Sequence, residues 1–298
     1  MTAPALRPDH AVTRHRHVEI DGLDVFYREA GPADAPVLVL LHGFPTSSRM
    51  YRNLIPALAD RYRLIAPDYP GFGQSAMPAR EAFPYGFATY ADVVDRLLDR
   101  LGVTSYALYV MDYGAPVGFR LALKHPSRVT ALISQNGNAY EEGLSPFWDG
   151  IKAYWADPSE EAREAIRRHL TLEGIQAQYL DGVRDPTRVD PDSWVHDFAL
   201  MQRPGNIDIQ LDLLYDYRTN VALYPHFQAF FRAHQPPALI AWGANDAIFP
   251  PEGARAFLRD LPDAELHLLD TGHFALEDQG DAMAGLIRDF LGRHLQAA

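Results

Sequence analysis

Short, nearly continuous apolar runs recur along this chain, and segments with the apolar period of an amphipathic helix separate them. The runs are APVLVLLHG (35–43), YRLIAPD (62–68), YALYVMD (106–112), VTALISQ (129–135), ALIAWGAND (238–246) and the more mixed AELHLLDT (264–271). The helical segments are 88–102, 114–125, 252–260 and 279–295. A strand that is apolar on both faces is typical of a parallel sheet covered by helices. The alternation therefore predicts an α/β fold with a mostly parallel, doubly wound sheet.

The alternation stops between about residue 139 and residue 226. This interval has no buried-strand pattern and consists of helix-like pieces rich in Trp, Tyr, Arg and Asp. We interpret residues 139–226 as an α-helical cap inserted in a core domain formed by residues 1–138 and 227–298. The chain, at 298 residues, is long enough for such an arrangement. Two further strands, joined by an Asp-Gly hairpin turn, are expected before the first apolar run, at 17–22 and 24–29.

Composition limits the possible partners. The formal net charge is −12 at pH 7, which argues against a nucleic-acid partner and against an anionic membrane surface. Cysteine is absent, so disulfides, thiolate metal sites and cysteine nucleophiles are excluded. The segment MTAPALRPDHAVTRHRH lacks the apolar part of a secretory signal, and the longest apolar run, Val37 to Leu41, is too short to span a bilayer. We therefore expect a soluble, cytoplasmic monomer or homodimer.

Polar residues collect where the predicted strands end. In open α/β sheets ligands bind beyond the carboxyl ends of the strands, so these residues are the candidates for a site. They are His42, Asp68, Asp112, Asn136, Asp246 and His273. Asp112 lies in LYVMDYGAPVG, between a strand and a helix. Its carboxylate can be a helix N-cap or a nucleophile displayed on a strand–turn–helix elbow.

Five segments together resemble the α/β-hydrolase superfamily, in the branch that holds epoxide hydrolases and haloalkane dehalogenases. They are LHGFPTSS, APDYPGFGQS, VMDYGAPVG, WGANDAIFPP and DTGHFALE, and in this order they cover nearly the whole chain. The resemblance implies the α/β-hydrolase fold with a helical cap. It also implies a triad in which Asp112 is the nucleophile, His273 the base and Asp246 the acid partner, with no cofactor and no metal ion. Val110 departs from the pattern, which has a small residue at that position.

An aspartate nucleophile suits displacement at a saturated carbon. A carboxylate is ionised at neutral pH without help from a base, and its attack on such a carbon gives an alkyl ester. His273 can then drive water onto the ester carbonyl, while Asp246 holds the imidazole and stabilises its cation. The chain contains no Gly-x-Ser-x-Gly, so serine-esterase chemistry has no obvious nucleophile.

The resemblance also assigns an oxyanion hole. The backbone amides of Phe44 and Tyr113 are expected to stabilise the negative charge that develops when the ester is hydrolysed. His42, in the same loop as Phe44, is expected to orient that loop and not to act as the base. Asp68 is expected to stabilise a turn.

Residues that hold a halide in related dehalogenases are absent here. Haloalkane dehalogenases of this branch place a Trp after the nucleophile and use a second Trp or an Asn, but this chain has Tyr113 and Phe44. Fluoroacetate dehalogenases place arginines after the nucleophile, where this chain has Tyr113 and Pro116. Two tryptophans of the predicted cap, Trp148 and Trp155, are the remaining candidates for contact with a halide.

Tyrosines of the predicted cap favour epoxides instead. Epoxide hydrolases use cap tyrosines to hydrogen-bond the alkoxide formed on ring opening. The segment Tyr217-Arg218-Thr219-Asn220 resembles the Tyr-Arg-x-x-Asn stretch around one such tyrosine, although here one residue and not two separates the Arg from the Asn. Tyr154 is the candidate for the second, and Tyr215 is a further neighbour. Alternatively, these rings are amphipathic packing residues.

The sequence thus predicts a hydrolase that opens epoxides to diols through an ester on Asp112. Its substrate would be a small apolar molecule with an electrophilic carbon. Haloalkane or haloacid dehalogenation by the same triad is the first alternative. A non-catalytic small-ligand binding protein on a hydrolase scaffold is the second, and ester or lactone hydrolysis is the third.

Overall fold

The computed structural model describes residues 11–295. It contains one eight-stranded sheet in the order β1-β2-β4-β3-β5-β6-β7-β8. The strands are β1 (Arg14–Ile20), β2 (Leu23–Ala30), β3 (Val37–Leu41), β4 (Arg63–Pro67), β5 (Tyr106–Met111), β6 (Val129–Gln135), β7 (Ala238–Gly243) and β8 (Glu265–Leu269). The pairs β1–β2 and β2–β4 are antiparallel, and the remaining pairs are parallel. The predicted mostly parallel sheet is confirmed.

Twelve α-helices lie in the described part of the chain. They are α1 (Leu54–Leu58), α2 (Phe87–Arg100), α3 (Gly114–Lys124), α4 (Asp149–Ala156), α5 (Glu160–Ile166), α6 (Leu172–Leu180), α7 (Pro191–Met201), α8 (Asn206–Asp216), α9 (Arg218–His234), α10 (Pro251–Asp260), α11 (Ala275–Asp278) and α12 (Gly280–His294). Between residues 11 and 295, no helix combines the length and the apolar character that crossing a membrane requires.

The strand order puts a crossover beside β5. The chain passes from β4 on one side of β3 to β5 on the other side, so the order reverses between these strands. Ligands of open α/β sheets bind at such a reversal, outside the carboxyl ends of the strands. Every residue of β5 and β7 is buried, as expected for central strands covered on both faces. The carboxyl ends of β3, β5 and their neighbours therefore hold the candidate site.

Six helices, α4 to α9, follow β6 and precede β7. They correspond to the segment that we interpret as a cap. Helix α9 also packs against α3 and α10, and residue 226 lies inside this continuous helix. Rings of this segment reach the core near β5: the Tyr217 ring lies 6.0 Å from that of Tyr113 and 5.6 Å from that of Phe87.

Candidate active site

Asp112 occupies a tight turn between β5 and α3. Its φ is +49°, in the left-handed region that few residues other than glycine adopt. The close approach of α3 to the sheet requires Gly114, because a Cβ there would overlap the carbonyl oxygen of Leu41. Asp112 is not the N-cap of α3; Tyr113 occupies that position, and no side chain caps the helix. The capping interpretation of Asp112 is therefore not supported.

Two backbone amides hold the Asp112 carboxylate. The Phe44 N–H donates to Oδ1 over 2.7 Å, and the Tyr113 N–H also bonds the carboxylate. The loop after β3 comes this close because Gly43 lacks a Cβ, which would collide with the Asp112 side chain. The Phe44–Pro45 peptide bond is cis. These amides are the two that the sequence predicts as an oxyanion hole, and both bond the Asp112 carboxylate.

The His273 imidazole lies between two carboxylates. Its Nδ1 is 2.8 Å from Asp246 Oδ2 and its Nε2 is 3.8 Å from Asp112 Oδ2. All three side chains are buried, although they come from the loops after β5, β7 and β8. Nε2 has no hydrogen-bond partner among the described residues. An imidazole that donates from Nδ1 to Asp246 keeps a basic Nε2 facing the Asp112 carboxylate.

Asn136 and a backbone amide fix Asp246. The Asn136 Nδ2 donates to Asp246 Oδ2 over 2.7 Å, and the Ile248 N–H donates to Oδ1 over 2.8 Å. Asn136 is itself oriented, because its Oδ1 accepts from the Gly243 N–H over 3.1 Å. Its φ of +48° is one that asparagine tolerates. Asn136 thus supports the carboxylate, and its side chain bonds the same Asp246 oxygen as the His273 Nδ1.

Burial and neighbouring charges shift the pKa values of Asp112 and His273, and each of these two groups affects the pKa of the other. Burial raises the pKa of the Asp112 carboxyl, and this effect exceeds the opposing effects of His273 and the Phe44 and Tyr113 amides. Burial alone would lower the pKa of the His273 imidazole, but Asp246 and then Asp112 outweigh it, so the pKa is raised. The imidazole therefore binds a proton more readily than a solvated histidine does.

His42 lies in the same loop as Phe44, and its imidazole faces backbone groups. Its Nδ1 donates to the Gly43 carbonyl over 2.9 Å, and its Nε2 accepts from the Tyr69 N–H over 3.4 Å. Burial lowers the pKa of its imidazole. Both ring nitrogens are therefore engaged by the loops that surround Asp112.

Two tyrosine hydroxyls meet near Asp112. Tyr217 Oη and Tyr224 Oη are 3.5 Å apart, and both residues are buried. Burial raises the pKa of each phenol, and the negative charge of Asp112 raises it further. The Trp148 ring packs against that of Tyr217 at an interplanar angle of 38°, with 4.4 Å between the ring centroids. Hydroxyl donors are thus present on the side of the site formed by α9.

Other aromatic residues of the predicted cap are engaged elsewhere. The Tyr154 hydroxyl accepts from Arg163 over 3.1 Å, and its ring packs against that of Tyr215 at 5.1 Å. The Arg218 guanidinium carbon lies over the Tyr215 ring, 3.8 Å from the ring centroid. The Trp155 Nε1–H donates to the Leu214 carbonyl, and the Trp148 Nε1–H donates to the Ile248 carbonyl. Both indole donors are therefore already bonded to backbone oxygen.

Residues 36–279 match the family model whose description is "alpha/beta hydrolase fold". The chain belongs to this family. The eight-stranded sheet described above is the α/β-hydrolase fold that the sequence predicts.

Several relatives of this α/β hydrolase span nearly its whole length. An uncharacterized hydrolase of Saccharomyces cerevisiae, YNR064C, is 47% identical over 278 residues, which are 92% of this chain and 95% of the relative. A haloalkane dehalogenase of Bradyrhizobium diazoefficiens is 30% identical over 290 residues, 90% of this chain and 91% of the relative. The solved structure of the epoxide hydrolase CorEH superposes with a TM-score of 0.76 at 22% identity, covering 95% of this chain and 99% of that one. This last likeness shows the fold alone.

The structure of this α/β hydrolase brings together most residues that the sequence singles out. Asp112, Asp246, His273 and the amides of Phe44 and Tyr113 form one cluster, and Tyr217 lies beside it.

Tyr154 and Tyr215 instead pack against each other and contact the arginines Arg163 and Arg218. The Trp155 ring lies nearly parallel to that of Tyr217, with 6.3 Å between the ring centroids. Sequence reasoning missed Tyr224. Its position seven residues after Tyr217, two helical turns on, is the signal that could have found it.

Proposed function

We propose that this α/β hydrolase opens epoxides to diols through a covalent ester on Asp112. The observation that carries the proposal is the tyrosine pair near the carboxylate: Tyr217, whose hydroxyl is paired with that of Tyr224, offers an O–H group to a leaving oxygen. The segment from 139 to 226, which we propose acts as a cap, supplies both tyrosines. The substrate would be a small, largely apolar molecule, because aromatic rings surround the pair.

The first step forms the ester. Asp112 Oδ2, the oxygen that faces His273, attacks an epoxide carbon, and the bond between that carbon and the ring oxygen breaks. The alkoxide takes the hydroxyl proton of Tyr217, which becomes a phenolate. Oδ1 stays bonded to the Phe44 amide and becomes the carbonyl oxygen of the ester. The Phe44 amide thus already holds the atom on which charge develops in the next step, and the Tyr113 amide bonds the same carboxyl group.

The second step hydrolyses the ester. His273 Nε2 removes a proton from water, and the resulting hydroxide attacks Cγ of Asp112. Negative charge forms on Oδ1, which accepts from the Phe44 amide. When this intermediate collapses, the bond from Cγ to the ester oxygen breaks and the proton of the added hydroxyl passes to the leaving alkoxide, which releases the diol and restores the carboxylate. Asp246 stabilises the imidazolium through its 2.8 Å contact to Nδ1. The proton on His273 leaves through solvent and is balanced by the proton that Tyr217 regains.

Dehalogenation is the alternative proposal, supported by the 30% identical haloalkane dehalogenase. It is less favoured because a departing halide needs N–H donors, and the Trp148 and Trp155 indoles already donate to backbone carbonyls. A pure binding protein is less favoured still, since a ligand receptor has no need of an imidazole aligned between two carboxylates.

A parallel substrate panel tests the proposal. Epoxides, alkyl halides and esters are incubated with the enzyme, and release of diol, halide and acid is measured. We expect diol release to be fastest. Tyr217→Phe should lower it by about 100- to 1,000-fold, as expected for loss of a donor to a developing oxyanion. The epoxide proposal would be wrong if halide were released faster than diol and Tyr217→Phe left both rates unchanged.

A further inference from the structure

We infer that Asn138 and Tyr224 form a directed hydrogen-bond relay behind Tyr217. In this relay the Asn138 amide donates to Tyr224 Oη, and the Tyr224 hydroxyl donates to Tyr217 Oη. The relay turns the Tyr217 proton toward the leaving oxygen and stabilises the phenolate left after that proton has gone. This inference rests on the proposed epoxide-opening function, and it makes Tyr224 a positioning residue that acts through Tyr217.

The backbone of the following residues fixes the direction of the Asn138 amide. The Tyr140 N–H donates to Asn138 Oδ1 over 3.2 Å, while Asn138 Nδ2 donates to the Tyr140 carbonyl over 2.8 Å. A backbone N–H requires an oxygen acceptor, so the amide cannot be flipped without losing both bonds. Its Nδ2 therefore faces Tyr224 Oη, 3.2 Å away, as a donor.

The space around Asn138 is built for this side chain. It is buried, and a Cβ added at Gly143 or at Gly253 would collide with its amide. Both glycines belong to segments outside α9, so the amide is held independently of the tyrosines. The start of the relay is therefore rigid.

The orientation of the Asn138 amide sets which hydroxyl donates and which accepts in the next hydrogen bond. Tyr224 Oη accepts from Asn138, so its single proton is free to donate. Among residues 11–295, the acceptor within hydrogen-bond reach of that proton is Tyr217 Oη at 3.5 Å. Tyr217 has one proton as well, and once its oxygen accepts from Tyr224 that proton is left for a third group. The substrate oxygen would be this group.

Such a relay matters because the phenolate of Tyr217 would form in a buried place. Burial raises the pKa of this phenol well above its usual value, so the proton is held firmly before reaction and the anion is costly during it. Hydrogen bonds strengthen in a low-dielectric interior, and each member of a chain polarises the next. Tyr154 does not take part in such a relay, because its hydroxyl accepts a hydrogen bond from Arg163.

The test is a double-mutant cycle on the rate of ester formation. Wild type, Tyr217→Phe, Tyr224→Phe and the double variant are mixed with an epoxide under single-turnover conditions, and the ester is followed by rapid quench and intact-mass spectrometry. We expect Tyr224→Phe to slow ester formation by about 10- to 100-fold, the range for a hydrogen bond to a charged group. The double variant should be no slower than Tyr217→Phe, because Tyr224 acts only through Tyr217.

Two further variants separate this effect from a structural one. Tyr85→Phe removes a half-buried hydroxyl that takes no part in the relay and donates to the Pro78 carbonyl over 2.7 Å, and it should leave ester formation within about twofold of wild type. Asn138→Asp keeps the shape but replaces the donor to Tyr224 with an acceptor, so it should slow ester formation as Tyr224→Phe does. In each variant the decay of the ester, which depends on His273, should keep its wild-type rate.

The outcomes distinguish the inference from the function on which it rests. A wild type that yields no diol overturns the proposed function and the relay with it. If diol forms and Tyr217→Phe is slow, but Tyr224→Phe is as fast as wild type, the relay alone is wrong. Losses that multiply in the double variant would also overturn the relay, because Tyr224 would then act on the substrate directly.

Discussion

His273 depends on Asp246 for both its orientation and its basicity. The two side chains are joined by a 2.8 Å contact, and Asp246 is the main influence that raises the pKa of the imidazole against its burial. Once Asp112 is esterified its charge is gone, so Asp246 is then the carboxylate that still acts on the ring. In the proposed mechanism the neutral imidazole is the base, so the rate of ester hydrolysis should fall as pH drops through this raised pKa.

Asp246→Asn should change the pH profile in a defined direction. Removal of the negative charge lowers the pKa of His273, so the acid limb of ester decay should move to lower pH. The plateau should fall by about 10⁴-fold, by analogy with the loss of the orienting carboxylate in serine proteases. The measurement is the single-turnover decay of the ester as a function of pH. Asp270→Asn, which changes an exposed aspartate on the loop before His273, is the control, and an acid limb that stays in place in Asp246→Asn would contradict the assignment.

Some residues of the site could be predicted from the sequence and others could not, depending on whether they follow a strand or lie on a helix. Asp112, Asp246 and His273 lie within four residues of the ends of β5, β7 and β8, and the topology of the sheet brings such positions together. Tyr224 and Tyr154 lie on helices, where the rotation of the helix decides what a side chain meets. The sequence pattern does not show that Arg163 occupies the Tyr154 hydroxyl, nor that Tyr224 turns toward Tyr217.

Helix α3 connects the Asp112 turn with the start of α9. Its Arg120 donates from one terminal nitrogen to Asn220 Oδ1 over 2.6 Å and from the other to Thr219 Oγ1 over 3.1 Å. Burial lowers the pKa of this guanidinium to about 10. Tyr217 immediately precedes α9, so this fork fixes the backbone from which its ring projects.

Arg120→Lys should loosen this connection. An ammonium group keeps the charge but cannot make the planar fork, and we expect a loss of about 1–3 kcal/mol in the free energy of unfolding. Urea unfolding measures this loss. Arg255→Lys is the matched control, because Arg255 lies on the surface in an ion pair with Glu252 that contributes little. Equal unfolding midpoints for the two variants would show that the fork does not stabilise α9.

Element boundaries were predictable where burial defines them. The predicted strand 129–135 coincides with β6, because polar or turn residues bound its apolar run. The first strand begins at Arg14, earlier than the predicted residue 17, because an exposed edge strand pairs through its backbone and needs no apolar residues. The extent of α9 was not predictable from the sequence. This helix belongs to the polar segment after β6, but it also packs against α3 and α10 of the core.

The chain as a whole carries a net charge of −12. A field of this sign does not attract neutral molecules and repels anions. Tyr113 and Pro116 also stand where the resembling fluoroacetate dehalogenases place arginines, and we therefore propose a neutral substrate and not an acidic one such as a haloacid.

The dependence of kcat/KM on salt should therefore distinguish neutral from anionic substrates. For a neutral epoxide we expect less than about a twofold change between 10 and 500 mM NaCl, since no long-range attraction is screened. For an epoxide that bears a carboxylate, kcat/KM should rise with salt as repulsion is screened. A value that falls with salt for the anionic substrate would show that a local positive site outweighs the net charge.

The covalent ester is tested most directly by the mass of the protein itself. In His273→Gln, Asp112 can still attack, but no base drives water onto the ester. Incubation with an epoxide that the wild type converts should give a stable adduct whose added mass equals the whole epoxide, and peptide mapping should locate it at Asp112. An alkyl halide would add its mass less that of the hydrogen halide, so the same spectrum reports the leaving group. A variant carrying both His273→Gln and Asp112→Asn should gain no mass. If His273→Gln remains unmodified by a substrate that the wild type turns over, the covalent mechanism is contradicted.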